Sequence, residues 1–165
     1  ALQANGAVLA DGTEIALGPD QAAYLNGQGI ITALNFIGGW KAWGNRTGAY
    51  PAVTDPKDAF LPIRRMFDWI ANTLVLTFWQ KVDYPINRRL IDTVVDSVNI
   101  WLNGLAARGF ILGGRVEFIQ SENPDTDLMD GIVRFHVYVT PPAPAREIDF
   151  IVECDLQYLK FLFAA

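Results

Sequence analysis

Apolar positions recur at helical spacing in the middle of the chain and at alternating spacing in its last third. Between Phe60 and Val82, Ile63, Phe67, Ile70, Leu74 and Phe78 fall on one stripe, widened by Met66, Trp69, Val75 and Trp79. That spacing predicts a helix. Asp55-Pro56 supplies a capping acid and a first-turn proline, and Pro62 holds the long helix's first turn at 59–62, because a proline deeper inside would break it. Ile70–Trp79 carries no charge, which predicts burial on most sides. Over 86–108, Ile91, Val94, Val95, Val98, Trp101, Leu102 and Leu105 line one face, and Arg88, Asp92, Asp96, Asn99 and Asn103 the other. Arg88 and Asp92 stand at ion-pair spacing, and Arg108-Gly109 is an ordinary helix stop. Only Asp83-Tyr84-Pro85 separates the two helices, so they are expected to be antiparallel neighbours.

After Gly113-Gly114 the period falls from 3.6 to 2. Arg115–Ile119 sends Val116 and Phe118 inward, and Ile132–Thr140 sends Val133, Phe135, Val137 and Val139 one way and Arg134, His136 and Tyr138 the other. Pro141–Ala145 is a stiff extended spacer. Glu147–Leu156 alternates again, with Ile148, Phe150, Val152 and Cys154 on one face, before an apolar end containing Tyr158, Leu159 and Phe161. On these patterns alone the final strand has two options. It folds back on its own domain, or it is donated to another subunit's sheet edge.

In the first third, Asp11-Gly12 signals a small hairpin, and 21–24 a helical turn. Leu25–Thr47 predicts a strand over Ile30–Leu34, then a Gly38-Gly39 turn pinned by Trp40 and Trp43 as buried anchors. Asn45 and Arg46 complete that turn, and Arg46 is expected to make a structural hydrogen bond or ion pair.

Composition changes the picture mainly by exclusion. Thirteen basic against 18 acidic residues give a net charge of −5, the opposite of a nucleic-acid footprint. The lone Cys154 has no disulfide partner and, with the single His136, rules out a Cys/His zinc site. The acids at 122–130 lack the ligand order of a calcium loop. No apolar run approaches the ~20 residues of a membrane span, and no signal peptide is visible. Gly39–Gly44 has the glycine spacing of a phosphate loop, but Asn45 stands where that motif requires lysine. No catalytic constellation, cofactor site or metal site can be assembled. Lys81, Arg88 and Arg89 form a basic cluster at the helix–helix turn, read either as a solvated helix end or as a contact with an acidic partner. A start at Ala1 rather than Met is read as part of a longer polypeptide.

Several pieces taken together are more discriminating than any of these features. They are Trp43-Gly44-Asn45-Arg46-Thr47, Asp55–Asp58 leading into Arg64-Arg65, Asn87-Arg88-Arg89, Gly113–Phe118 and Thr140–Phe150. In this combination the chain resembles, from about Tyr24 to Phe163, the C-terminal part of contractile tail sheath proteins of phages and R-type bacteriocins. The larger N-terminal portion of such proteins has no counterpart here. The resemblance implies an α+β fold, with a small mixed β-sheet packed against two long antiparallel helices. It implies an inner domain over 1–145 and a C-terminal arm over 146–165. The arm would be donated to a neighbouring subunit through Ile148, Phe150, Val152, Tyr158, Leu159 and Phe161. It further implies a non-enzymatic homo-oligomer, six-fold discs stacked around a tail tube protein, with Lys81, Arg88 and Arg89 as candidate tube contacts. Contraction would draw on packing differences between assembled states rather than on a nucleotide. No nucleic acid and no membrane contact by this domain are expected. The setting would be a virion tail or tail-like particle assembled in the host bacterial cytoplasm. Two other readings remain at this point: a nucleotide-binding or enzymatic domain on the Gly39–Gly44 loop, and a non-contractile virion or secretion scaffold.

Overall fold

The computed structural model describes residues 6–157. It is α+β. Helix α1 (Pro19–Gly27) opens with proline in its first turn, and strands β1 (Thr32–Asn35) and β2 (Trp40–Trp43) form a hairpin. A short helix α2 (Pro56–Ala59) leads into α3 (Leu61–Phe78), which ends in a 3-10 turn over Trp79–Lys81. Helix α4 (Arg88–Ala107) follows, capped by the Asn87 side chain accepting from the Leu90 N–H at 2.8 Å. Strand β3 (Gly113–Glu117), a short helix α5 (Asp125–Met129) and strand β4 (His136–Thr140) complete the order.

The strands pair as two separate antiparallel ribbons, β1–β2 and β3–β4. The expected single mixed sheet is therefore corrected: among the described residues no strand pairs in parallel. Two-stranded ribbons are marginal alone, so each leans on a helix, β1–β2 on α1 and β3–β4 on α4. The main core joins Ile70 of α3, Val94, Val98, Leu102 and Leu105 of α4, and Ile111 and Val116, with Phe135, Val137 and Val139 packed against it. Gly114 permits the close approach of β3 to α4, since a Cβ there would stand 3.1 Å from the Tyr138 carbonyl oxygen and 3.4 Å from Leu102.

Between the long helices, the Trp69 and Trp101 rings lie 5.6 Å apart. At the junction of α2 and α3, Arg64 bonds Asp58 and Asp68, each at 2.9 Å. The Asp58 hydrogen bond is the main reason its guanidinium pKa is raised above the ordinary value, with Asp68 next.

Two further expectations are corrected. Ile70–Trp79 is not buried on most sides, because Val75, Leu76 and Trp79 are 62%, 77% and 71% exposed. The packing partners cover only one stripe of α3, so an uncharged face stays open. Trp43 is not a buried anchor but 42% exposed, and Trp40 is half-buried. Both lie in β2 rather than in a turn, where alternation and an uncovered ribbon face leave indole surface outside. Glu147–Asp155 has no helix or strand and pairs with no strand among the described residues. The N-terminal signal is met by a tight turn at Asp11-Gly12 closed by a single Val8–Glu14 bridge. Tyr158, Leu159 and Phe161 lie outside the described residues.

Candidate functional site

The two edges of the β3–β4 ribbon differ. On the α4 side, the Asn99 amide bonds both backbone groups of Val116. The Val116 N–H donates to Asn99 Oδ1 at 2.9 Å, and Asn99 Nδ2 donates to the Val116 carbonyl at 3.3 Å. A helix side chain thus stands where another strand would pair, and β3 is closed at its centre. Strand β4 pairs with β3 on one side and with no other strand among the described residues. The open edge is therefore that of β4.

The approach to β4 is held by Asn123, 1% exposed. Its side chain donates to the carbonyls of Ile119 (2.9 Å) and Arg134 (3.0 Å) and accepts from the Arg134 N–H (2.7 Å). Arg134 also pairs with Asp127. On the outer face of the ribbon, His136 lies 3.1 Å from Glu122, stacks on Tyr138 at 4.3 Å, and Tyr138 carries Arg115 at 4.1 Å. His136 is therefore a packing and hydrogen-bonding residue on a solvated face. Beside β4, an open apolar groove of about 670 Å³ runs between the end of α3, the start of α4 and the ribbon. Leu74, Phe78, Leu90, Val94, Phe135 and Val137 are among its walls.

The chain beyond Thr140 runs without helix or strand through Asp155. Ile148, Phe150 and Val152 are 70%, 86% and 92% exposed. The arm thus presents an apolar face with no seat on its own domain.

Lys81, Arg88 and Arg89 are all exposed at the connection between the two long helices. Lys81 Nζ lies 5.0 Å from the Tyr84 ring centroid, and Arg88 reaches Asp92 at 3.7 Å, the pairing expected from the spacing. Arg88 and Arg89 occupy the first turn of α4, where the helix dipole disfavours positive charge. Their placement does not serve the helix.

Around β2, Gly38 and Gly39 turn the hairpin and Trp40–Trp43 is a strand. The glycine spacing therefore does not lead into a helix N-terminus, as a phosphate loop requires. Asn45 and Arg46 follow the strand. The Asn45 carbonyl accepts from the Leu61 N–H at 2.8 Å, tying the hairpin to the start of α3. Arg46 was expected to form a hydrogen bond or ion pair. Instead its guanidinium lies between the rings of Tyr50 and Phe60, 4.2 Å from each. Among the described residues no group of three or more His, Cys, Asp or Glu could hold a metal ion, and no helix is long and apolar enough to cross a membrane.

No family model matches the chain. It is 37% identical over 139 residues to the tail sheath protein of Burkholderia phage BcepMu, covering 84% of this chain and 29% of that protein. It is 28% identical over 138 residues to the major tail sheath protein of Serratia phage KSP20, covering 82% of this chain and 33% of that one. The chain therefore spans a third or less of the length of these curated relatives. Two solved structures share the fold. A chain of the anti-feeding prophage baseplate matches with a TM-score of 0.75 and 21% identity, over 92% of this chain and 44% of that one. A chain of the contracted PVC sheath complex, an extracellular contractile injection system, matches with 0.74 and 18%, over 87% and 42%.

Proposed function

This chain is a relative of the tail sheath proteins, and from that premise we propose that it is the inner domain of a contractile sheath subunit, joined to its neighbours by its C-terminal arm. The observation that carries this reading is the complementarity of two surfaces. The arm has an exposed apolar face at Ile148, Phe150 and Val152, and the domain has an open β4 edge beside an apolar groove.

A strand laid along β4 gains backbone hydrogen bonds and sets its apolar side chains over that groove, each worth roughly 1.5–3 kcal/mol on full burial. Asn99 directs the addition to β4 by closing β3. An arm given to one copy and an edge filled by another make a head-to-tail contact, which propagates instead of closing as a pair. Helix α4, packed along β3, gives the ribbon a stiff backing. Lys81, Arg88 and Arg89 form the face turned to the tail tube, and their polar contacts are the ones that contraction breaks. The work of contraction comes from packing differences between two assembled states, so no enzymatic step is involved. Assembly takes place in the cytoplasm of the host bacterium, as six-fold discs stacked into a sheath.

Electron microscopy of the full-length polypeptide tests this. Ribbed tubes are expected from the intact protein, and a folded, unassembled subunit after deletion of residues 146–165. Normal tubes from the truncated protein refute arm donation, and the absence of tubes from the intact protein refutes the sheath reading.

A further inference from the structure

A second unfilled feature lies at the root of the arm. A cavity of about 400 Å³ opens between α1, the β1–β2 hairpin and the first residue of the arm, with Asn26, Asn45, Arg46 and Arg146 among its walls and no acidic residue among them. Both amide heteroatoms of Asn26, Oδ1 and Nδ2, are buried without a hydrogen-bond partner, and so is Arg46 Nε. Leaving buried polar groups unpaired is unfavourable, so native proteins keep few of them, and here three belong to two residues, Asn26 and Arg46, that line one cavity. Gly44, at φ +128°, makes the arrangement possible, because a Cβ there would stand 2.5 Å from Asn26 Oδ1. The Tyr50 and Phe60 rings fix the Arg46 guanidinium from both sides without using its donors. No ion pair among the described residues involves Arg46 or Arg146.

We propose that this cavity is a receptor for a carboxylate side chain delivered by the arm of a second copy of this chain. A planar, singly charged carboxylate matches a preset guanidinium fork, and the second arginine with the asparagine amides supplies the remaining donors. The non-polar walls, Ile30, Ala42 and Trp43 among them, suit the methylenes of an acidic side chain better than a small, fully hydrated ion.

The arm is the donor that the molecule itself offers. Glu147, Asp149, Glu153 and Asp155 alternate with its apolar residues, and none of the four forms an ion pair among the described residues. An extended segment that turns its apolar side chains to one surface turns these acids to another. Ala145 and Arg146, which join the proline spacer after β4 to the arm, are themselves part of the cavity wall. On the arm-exchange reading, an arm laid along β4 extends toward this wall. The inference rests on the arm-exchange reading and adds to it a charge latch that sets the register of the donated strand.

The test uses the full-length polypeptide. Arg146→Glu changes an exposed residue, and Asn26→Asp places an internal carboxylate beside Arg46. Arg146→Glu is expected to keep the wild-type melting temperature of the unassembled subunit, Asn26→Asp to keep it or raise it through the internal pair, and both to raise the concentration needed for assembly by roughly tenfold or more, the scale of a lost buried charge pair. Neutralising Glu147, Asp149, Glu153 and Asp155 one at a time should identify one residue that mimics Arg146→Glu. Arginine at that position should restore assembly to Arg146→Glu. Wild-type assembly by both cavity variants overturns the latch while leaving the sheath reading standing, and failure of the wild type itself to assemble refutes the sheath reading instead. Stabilisation of the unassembled subunit by inorganic phosphate, lost in Arg146→Glu and with no arm carboxylate mimicking that variant, assigns the cavity to a free anion and also overturns the proposal.

Discussion

Replacing Asn99 by alanine tests the claim that a helix side chain closes the β3 edge. Asn99 makes two hydrogen bonds to Val116, at 2.9 and 3.3 Å, and Val116 is only 2% exposed. Each bond contributes a net ~0.5–1.5 kcal/mol, and a buried group left unpaired costs about 1–3 kcal/mol. The longer of the two counts for less, and the space left by the amide admits water to part of the edge. Alanine returns roughly 0.5 kcal/mol of helix propensity. The balance is a loss of about 2 kcal/mol. With a urea dependence of about 1–3 kcal/mol per molar for a small domain, the unfolding midpoint should fall by roughly 1 M. Amide hydrogen exchange at Val116 should speed up by more than the global loss of stability explains, because its acceptor is gone. Asn103→Ala, one turn along the same helix, is the control. Asn103 is exposed and makes no side-chain bond among the described residues, so the same substitution should be neutral or slightly stabilising. An Asn99→Ala midpoint equal to that of Asn103→Ala, with unchanged exchange at Val116, would refute the reasoning.

Arg46→Ala removes contacts to two rings, each worth roughly 0.5–2 kcal/mol, and should lower the melting temperature, with Arg46→Lys recovering part of the loss; no change in either would sink the sandwich as a stabilising feature. Trp43→Ala should cost about 1–2 kcal/mol rather than the 3–5 of a fully buried aromatic, because nearly half the indole is already in water, and chemical denaturation distinguishes the two. Charge reversal at Lys81, Arg88 and Arg89 should weaken association with the tube in a salt-dependent way. The same change should leave the domain as stable or slightly more so, since acids suit the first turn of α4; equal tube binding by wild type and the triple glutamate variant disposes of the contact.

How much was legible before the tertiary structure depended on whether a feature was local. The apolar stripe from Ile63 to Phe78 and the face from Ile91 to Leu105 place α3 and α4 within a few residues, because helix bonds and side-chain spacing are both set within two turns. The alternation of Val137 and Val139 and the inward Val116 were legible for the same reason. The motif from Trp43 to Thr47 points to the right relatives, yet Trp43 and Arg46 differ from expectation in what they touch. Nothing in the chain nearby says that Arg46 will find Tyr50 and Phe60, or that Trp43 will sit on an open ribbon. Asn99 and Asn123 read as ordinary polar residues, one on a helix face and one before a proline. Their partners are 17 and 11 residues away, and only folding brings them together.

Sequence by itself therefore determined the helices, the strand propensities, and a C-terminal segment patterned as a half-buried strand. Each of these follows from short-range spacing or from composition. The tertiary structure alone decided that the strands form two ribbons and not one sheet, that Asn99 closes β3 and leaves β4 open, and that the uncharged face of α3 stays uncovered. It also decided that the cavity at Asn26, Arg46 and Arg146 holds no acid of its own. These are properties of which surfaces meet across the fold, and a surface left without a partner can be recognised only once every other surface has been assigned one.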